Sequence, residues 1–375
     1  MDGSRPHVLV VGGGIGGLCL AQGLRRRGIG VAVYERDPSP RASGQGYRIG
    51  IKRQGSDALR ACLPPNLFAL CVATALRTAS RMVFCDHRLR PKFSRPLPPL
   101  PEDESFGVNR QTLREILLAG LDGAVHFGQR FERFERTAGG RVRACFAGGG
   151  SATGDLLVGA DGTASAVRPL LLPDAGLDEL GWFLYGRTPI LPGTLERLPE
   201  ELVDSFNRIT APDGVAVAVA TCRPREPLEA ATARLAPGLR LAAVPDYLAW
   251  QVDAGPGRPR PPEGDARALH LLALELLAGW PAPVRGIVEH AEPDATFLVR
   301  LRSARPVGPW RDPGVTLLGD AIHTMSPGRG EGANTALRDA ALLAGQLAGG
   351  DAGRLPLAVA KRGYEEEMLR YGFEA

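Results

Sequence analysis

Lysine, aromatic residues and cysteine motifs are all scarce in this chain. Of its 45 basic residues only Lys52, Lys92 and Lys361 are lysines, and Phe, Trp and Tyr together make up 6% of the chain. The near-monopoly of arginine, together with many alanines, reads as coding bias. The six cysteines, Cys19, Cys62, Cys71, Cys85, Cys145 and Cys222, form no C-x-x-C and no Cys/His zinc spacing. This excludes a dithiol redox motif and a zinc-finger site. With no signal peptide in evidence, a disulfide framework is not expected. Long apolar runs are also missing. Residues 8–24 come nearest, but Gly12, Gly13, Gly14, Gly16 and Gly17 interrupt them and Arg25, Arg26 and Arg27 follow. Such a segment suits neither a signal core nor a membrane span. Net charge is only +4 and there is no basic arm or acidic tail, so nucleic acid is not an expected partner. A soluble, cytoplasmic protein without a membrane span is expected, as a monomer or homodimer.

What the chain has in plenty is glycine: 48 residues, beside 32 prolines. Hydrophobic content of 44% and charged content of 23% still describe a folded globular protein. At 375 residues, two or three domains are expected. Glycine on this scale implies tight turns, or backbone that a ligand approaches closely.

Residues 8–11 are a short apolar run of the kind found in a buried parallel strand. Residues 12–17 are glycine-rich, a helix runs to about Arg27, and residues 31–35 give the next strand: a βαβ unit. Residues 37–50 read as a loop, 54–62 as a helix and 91–101 as a breaker-rich connection. A helix is expected over 109–120, and a hairpin over 141–146 and 156–158. Residues 215–221 read as a strand, 269–280 and 284–290 as helices. A buried strand over 315–318 leads through a glycine-rich loop into a helix over 333–347. There is no internal repeat. The cofactor-like segments lie at both ends and near position 160, which points to a discontinuous cofactor domain with a substrate domain inserted.

Three motifs carry chemistry. The first, Gly12-Gly13-Gly14-Ile15-Gly16-Gly17, fits G-x-G-x-x-G after a strand and at a helix start. Gly12 allows the tight turn, Gly14 lets a pyrophosphate reach the backbone, and Gly17 lets helix and strand pack closely. The helix N-terminus, from Ile15 and Gly16 on, offers free amides and partial positive charge to phosphate. Glu35 ends the second strand, where a carboxylate accepts from ribose hydroxyls and disfavours a 2′-phosphate. The second motif runs Gly159-Ala160-Asp161-Gly162, with Arg168 beyond it. Alone, this Asp-Gly pair is as well read as a turn. The third is Gly319-Asp320 through His323, Pro327, Gly328, Gly330, Glu331, Gly332 and Ala333 to Asn334. Asp320 is placed to accept from a polyol, and the loop backbone is bare enough to lie against a planar ring.

These motifs, in this order and spacing, resemble the class A FAD-dependent aromatic monooxygenases, the p-hydroxybenzoate hydroxylase-like family. The resemblance spans effectively the whole chain. It implies an α/β fold: an FAD-binding Rossmann-like domain of discontinuous segments, an inserted mixed β-sheet substrate domain, and C-terminal helices. The expected division is 1–76, 102–176 and 300–350 for FAD, 77–101 and 177–299 for substrate, and 351–375 as a C-terminal helical segment. It implies one bound FAD, with NADPH or NADH as transient co-substrate and O₂ as oxidant. Hydroxylation of a small aromatic or polyketide-like molecule through a flavin C4a-hydroperoxide is the implied reaction. A dehydrogenase or Baeyer–Villiger oxygenase of related fold is the alternative.

By that likeness Gly12, Gly14, Ile15, Gly16 and Gly17 adjoin the pyrophosphate, and Glu35 and Arg36 the adenosine ribose. Arg110 would contact the flavin, Asp161 would brace the pyrophosphate region, and Asp320 would bind the ribityl chain. Pro327 and residues 328–332, Gly330 and Gly332 among them, would line the isoalloxazine, and Ala333 and Asn334 would also bind the cofactor. Arg168 would take part in reduced-nicotinamide recognition. Residues 44–48 match a mobile loop beside the flavin, from which Arg48 would contact substrate, flavin or nicotinamide. Arg48 and Pro327 are therefore the candidate catalytic residues. Glu331 would tune the flavin or point to solvent, and His323 is expected to pack the loop. No second G-x-G-x-x-G exists for NAD(P)H, no W-x-W-x-I-P halogenase motif is present, and no metal-ligand spacing is seen.

Overall fold

The computed structural model describes residues 6–42, 47–326, 328, 330–349 and 355–374. At the N-terminus the expected βαβ unit forms: strand His7–Val11, helix Ile15–Arg26 and strand Gly30–Tyr34. Four buried valines and leucines in the first strand leave it no polar face, so it lies at the centre of a parallel sheet. Strands Val315–Leu317, Leu156–Gly159, His7–Val11, Gly30–Tyr34 and Val125–His126 follow one another across that sheet. Strand neighbours in this sheet such as Val8 with Leu156 and Leu157 with Val315 are distant in sequence, so the cofactor domain is built from discontinuous segments as expected.

Two readings of the sequence are corrected here. Strand Val142–Phe146 pairs with Ser151–Gly154, not with Leu156–Gly159. The latter is buried throughout and leaves the hairpin for the parallel sheet, beside His7–Val11. A continuous apolar tetrad needs cover on both faces, which an exposed hairpin does not supply. Likewise Pro91–Pro96, expected as a mere connection, is an exposed edge strand. Proline is tolerated there because edge amides need no partner.

A seven-stranded mixed sheet forms the second body, in the order Phe297–Ala304, Leu177–Pro189, Tyr247–Asp253, Ala216–Cys222, Ser205–Thr210, Arg81–Asp86 and Pro91–Pro96. All its pairs are antiparallel except Ser205–Thr210 with Arg81–Asp86. One face carries Leu184, Leu248, Trp250, Val217 and Val219 and packs with Leu269, Ala273, Val284 and Ile287 of the helices Ala266–Leu276 and Ala282–Glu289. The other carries Tyr185, Ala249, Ala220, Cys222 and Tyr247, which cluster with Leu76 and Tyr47. That second face therefore looks toward the two-stranded antiparallel sheet of Arg48–Ile51 and Phe106–Asn109. The strand Phe297–Ala304 belongs wholly to this sheet, past the expected boundary at 300, and helix Leu228–Leu235 packs on the cofactor-domain core through Ala231.

Candidate functional site

The three glycine-rich segments meet, and their glycines show how. A Cβ on Gly12, whose φ is +110°, would strike the Ala160 carbonyl and approach Asp161 Cα at 2.9 Å. One on Gly17 would sit on the Gly12 carbonyl oxygen, and one on Gly16 would meet Leu318 Cδ2 at 2.7 Å and Ala336 Cβ at 3.2 Å. These glycines are required by protein packing, so they draw all three motifs around one helix start. Gly14 differs: a Cβ there would have no neighbour within 4 Å. It is the N-cap of helix Ile15–Arg26, and no side chain caps that end. Its first-turn amides therefore await an outside acceptor.

At this cradle Arg110 and Asp320 are electrostatic neighbours. Arg110 starts helix Arg110–Leu118, whose N-cap Asn109 accepts from the Thr112 amide at 3.0 Å. Burial lowers the Arg110 pKa and Asp320 supports its charge. Burial raises the Asp320 pKa, while His323 and Arg110 oppose that rise. A Cβ on Gly332 would lie 3.5 Å from Asp320 Oδ1, so the amino end of helix Gly332–Ala348 abuts the same carboxylate. Asp161 holds the Ala166 amide with Oδ2 at 2.7 Å, and its Oδ1 is buried without a partner. An open glycine cradle, uncapped amides, a neighbouring arginine and carboxylate and an orphaned buried oxygen suit an extended phosphate-bearing dinucleotide. The residues present fit FAD.

Several expected ligands turn out to be committed to the protein. Glu35, only 7% exposed, accepts the Gly13 amide at 2.6 Å and the Asp37 amide at 2.9 Å, with Arg114 Nη2 3.8 Å away. It shapes the glycine loop first, and only its remaining lone pairs are left for a ligand. The Asn334 side chain takes the Lys52 amide at 2.8 Å and donates to the Gly50 and Gly330 carbonyls at 2.9 and 2.8 Å. Being fully buried, it braces the loop. Arg168 is committed too. Its guanidinium donates to Ala321 O at 3.2 Å and Thr163 O at 2.9 Å and is buried between the second and third motifs. A group so enclosed joins two loops. Arg36 is exposed at the end of its strand, and Ile15 is buried beneath the cradle. Gly330 is exposed, and Gly332 and Ala333 are half-buried.

Pro327 and residues 44–46 lie outside the described residues. Arg48 is described and exposed, and its Nε and Nη2 would be 3.2 Å from a Cβ on Gly107. It lies flat over that glycine, with Tyr185 and Cys222 of the large sheet as electrostatic neighbours.

Three constellations escaped the sequence reading. Glu331 is held by Lys52 Nζ and by Gln54 Nε2, the latter at 2.8 Å, so its carboxylate is neither free in solvent nor uncompensated. His323 and the buried Asp339 are 2.6 Å apart. At the sheet junction, Tyr247 Oη donates to Tyr47 O at 2.9 Å and accepts from Asn109 Nδ2 at 3.0 Å. The Tyr47 ring lies 5.6 Å from those of Tyr185, tilted, and Phe297, edge-on, under the Arg187 guanidinium at 5.2 Å, and burial pushes its pKa up to about 12. Asp339 had one visible signal: it is the lone acid on the apolar stretch of its helix. The tyrosines had none, because their partners are distant in sequence.

Comparison with known proteins agrees with this geometry. Residues 290–356 match the family model "FAD binding domain" and residues 10–80 the "NAD(P)-binding Rossmann-like domain". A crystal structure from Photorhabdus luminescens subsp. laumondii, assigned as an FAD-containing monooxygenase, is 32% identical, with a TM-score of 0.83 over 99% of this chain and 95% of that one. HpxO of Klebsiella pneumoniae, in complex with FAD and uric acid, is 25% identical, with a TM-score of 0.77 over 100% of this chain and 86% of its own. The dual O-methyltransferase/FAD-dependent monooxygenase elcB of Phaeosphaeria nodorum is 30% identical over 90% of this chain. The chain spans 39% of that relative's length and 42% of two further fungal relatives. No helix among the described residues is long and apolar enough to cross a membrane.

Proposed function

Since the chain belongs to the FAD-dependent monooxygenases, we propose that it hydroxylates a small aromatic or polyketide-like molecule, with NADH or NADPH as reductant and O₂ as oxidant. The convergence of three glycine-rich segments on the Arg110–Asp320 pair carries this reading. Bound FAD would supply hydride acceptance and oxygen activation, chemistry that no side chain provides. The protein's share is positioning. Gly14 and the amides of helix Ile15–Arg26 would hold the pyrophosphate, Asp320 the ribityl hydroxyls, and the backbone of Gly330–Ala333 one edge of the ring.

For the substrate, the face of the large sheet turned toward strand Arg48–Ile51 offers small Ala220 and Ala249 beside Tyr185. Phe297, whose ring is 5.5 Å from that of Tyr185, adds a second aromatic wall. A flat, largely apolar molecule suits such a floor, and the surrounding rings exclude water. Arg48 stands at its margin, placed to meet an oxygen of the substrate. Elsewhere in the family, HpxO was crystallised with uric acid and a Stigmatella relative is an aurachin C monooxygenase/isomerase, both consistent with planar heterocycles or quinoid rings.

The test follows NAD(P)H oxidation by the yellow, FAD-loaded protein with candidate phenols and quinolones under ¹⁸O₂. One labelled oxygen in the product is expected. An oxidised product without the label would make the protein a dehydrogenase and end the monooxygenase reading.

A further inference from the structure

The C-terminal helix Leu357–Gly372 contains none of the glycine-rich motifs, yet its tyrosines land on the segment that presents Asp320. Tyr364 Oη donates to the Leu317 carbonyl at 2.8 Å. Tyr371 Oη donates to Asp339 Oδ1 at 2.6 Å. The other oxygen of Asp339 accepts the Gly319 amide at 2.8 Å and lies 2.6 Å from His323 Nε2. Gly319 immediately precedes Asp320, with φ at +64°, and His323 ends the single turn Asp320–His323. One buried carboxylate thus grips both ends of the turn that carries Asp320. Helix Leu357–Gly372 also lies against the imidazole, since a Cβ on Gly372 would be 2.7 Å from His323 Cδ2.

Packing alone does not call for these groups. Asp339, His323 and Tyr371 are 0%, 1% and 7% exposed, where apolar side chains of like size would stabilise the fold as well or better. Burial acts to lower the His323 pKa, but the Asp339 carboxylate, its hydrogen bond and Asp320 outweigh it, so the imidazole titrates above its ordinary value. The charged or titratable groups around it are Asp320 on its own turn, Asp339 on the neighbouring helix and Tyr364 and Tyr371 on the C-terminal helix. Arg110 neighbours Asp320, and Arg338 covers the Tyr371 ring at 3.6 Å.

We propose that Tyr371 is a positioning residue for FAD: through Asp339 it fixes the Gly319 amide and the His323 ring, and so aims the Asp320 carboxylate at the cofactor. The proposal rests on the reading that Asp320 contacts FAD. FAD is titrated into the apo full chain, following flavin fluorescence, for the wild type and four variants across neutral pH. Tyr371→Phe removes one charged hydrogen bond and binds FAD about tenfold more weakly. Tyr364→Phe, which loses a buried bond of the same helix outside this relay, lowers the melting temperature but keeps wild-type affinity. In the wild type, affinity weakens as pH rises through the raised His323 pKa. In Asp339→Asn only Asp320 is left as a charge opposing burial of the imidazole, so that alkaline limb moves to lower pH. A purely structural role would not move the limb. Wild-type affinity in Tyr371→Phe, equal weakening in Tyr364→Phe, or an unmoved limb in Asp339→Asn would overturn the proposal. If Asp339→Asn fails to fold, the contrast between Tyr371→Phe and Tyr364→Phe decides. Asp320→Ala separates the two readings: FAD held as tightly as in the wild type there refutes the role of Asp320 itself. Loss in Asp320→Ala with none in Tyr371→Phe refutes the positioning alone.

Discussion

Gly14→Ala and Gly17→Ala change the same loop by one methyl each and should fail in opposite ways. At Gly17 the new methyl lands on the Gly12 carbonyl oxygen and 3.3 Å from Ala160 Cβ. Neither neighbour is the end of a flexible side chain, so the strand and helix must separate. Overpacking of this kind costs about 1–3 kcal/mol, read as a lowered melting temperature of the apo protein. At Gly14 the methyl meets nothing within 4 Å, and φ is −78°, which alanine adopts freely. Apo stability should stay within about 0.5 kcal/mol of wild type. The methyl does occupy the approach of a pyrophosphate to the first-turn amides. Losing one charge-assisted hydrogen bond there is worth about 1.5–3 kcal/mol, or roughly ten- to a hundredfold in the dissociation constant. The assay pairs a thermal melt of each apo variant with an FAD titration by fluorescence quenching. If Gly14→Ala binds FAD as the wild type does, or melts as low as Gly17→Ala, the division between packing glycine and cradle glycine is wrong.

Three further outcomes are expected. Asp320→Asn should bind FAD at least about tenfold more weakly and yet melt higher as the apo protein at neutral pH. The sign follows from its pKa: burial raises it, so the folded state holds the proton more tightly, and above that pKa the charge costs stability that asparagine recovers. A lower melt would contradict this. Arg168→Ala should cost about 2 kcal/mol of stability by orphaning the Thr163 and Ala321 carbonyls, with the NAD(P)H KM unchanged once the variant is loaded with FAD. A raised KM at full FAD occupancy would support the nicotinamide role. Lys52→Ala leaves the Glu331 charge held by Gln54 but without its ammonium, and should lower the two-electron flavin potential by about 20 mV in a dye-linked titration. An unchanged potential would show that Glu331 points away from the ring.

Most of the cofactor domain was legible because its physics is local. The G-x-G-x-x-G segment declares itself through a buried strand before it and a helix after it, and both formed where expected. The large sheet was less legible. Its strands alternate between a face packed on helices and a face holding Ala220, Ala249 and Tyr185, so no contiguous motif exists to read. Leu156–Gly159 was assigned to a hairpin because Ser151–Gly154, a polar strand, lies just before it and hid the true partner. The side chains around Asp320 were partly hidden for another reason. His323 stands in the motif, but Asp339 and Tyr371, which hold it, are 16 and 48 positions further on. Spacing on one helix face predicts neighbours; it does not predict which distant helix supplies the third partner.

Glu35, Asn334, Arg168 and Asp339 together show how this site divides its labour. Each was, or resembles, a ligand by chemistry, and each spends most or all of its hydrogen-bonding capacity on backbone of the glycine-rich loops. Glu35 holds the Gly13 amide, Asn334 the Gly50 and Gly330 carbonyls, Arg168 the Thr163 and Ala321 carbonyls, and Asp339 the Gly319 amide. Glycine loops are entropically costly to fix, and a cofactor that had to order them on binding would be held weakly. Side chains that order the loops in advance transfer that cost to folding and leave bare amides for the pyrophosphate and ring. The abundance of glycine therefore works only because a few buried polar side chains restrain it. Removing one of them should weaken FAD by loosening the loop rather than by deleting a contact, with hydrogen exchange of the amides at 12–17 or 330–334 rising in the apo protein in step with the lost affinity.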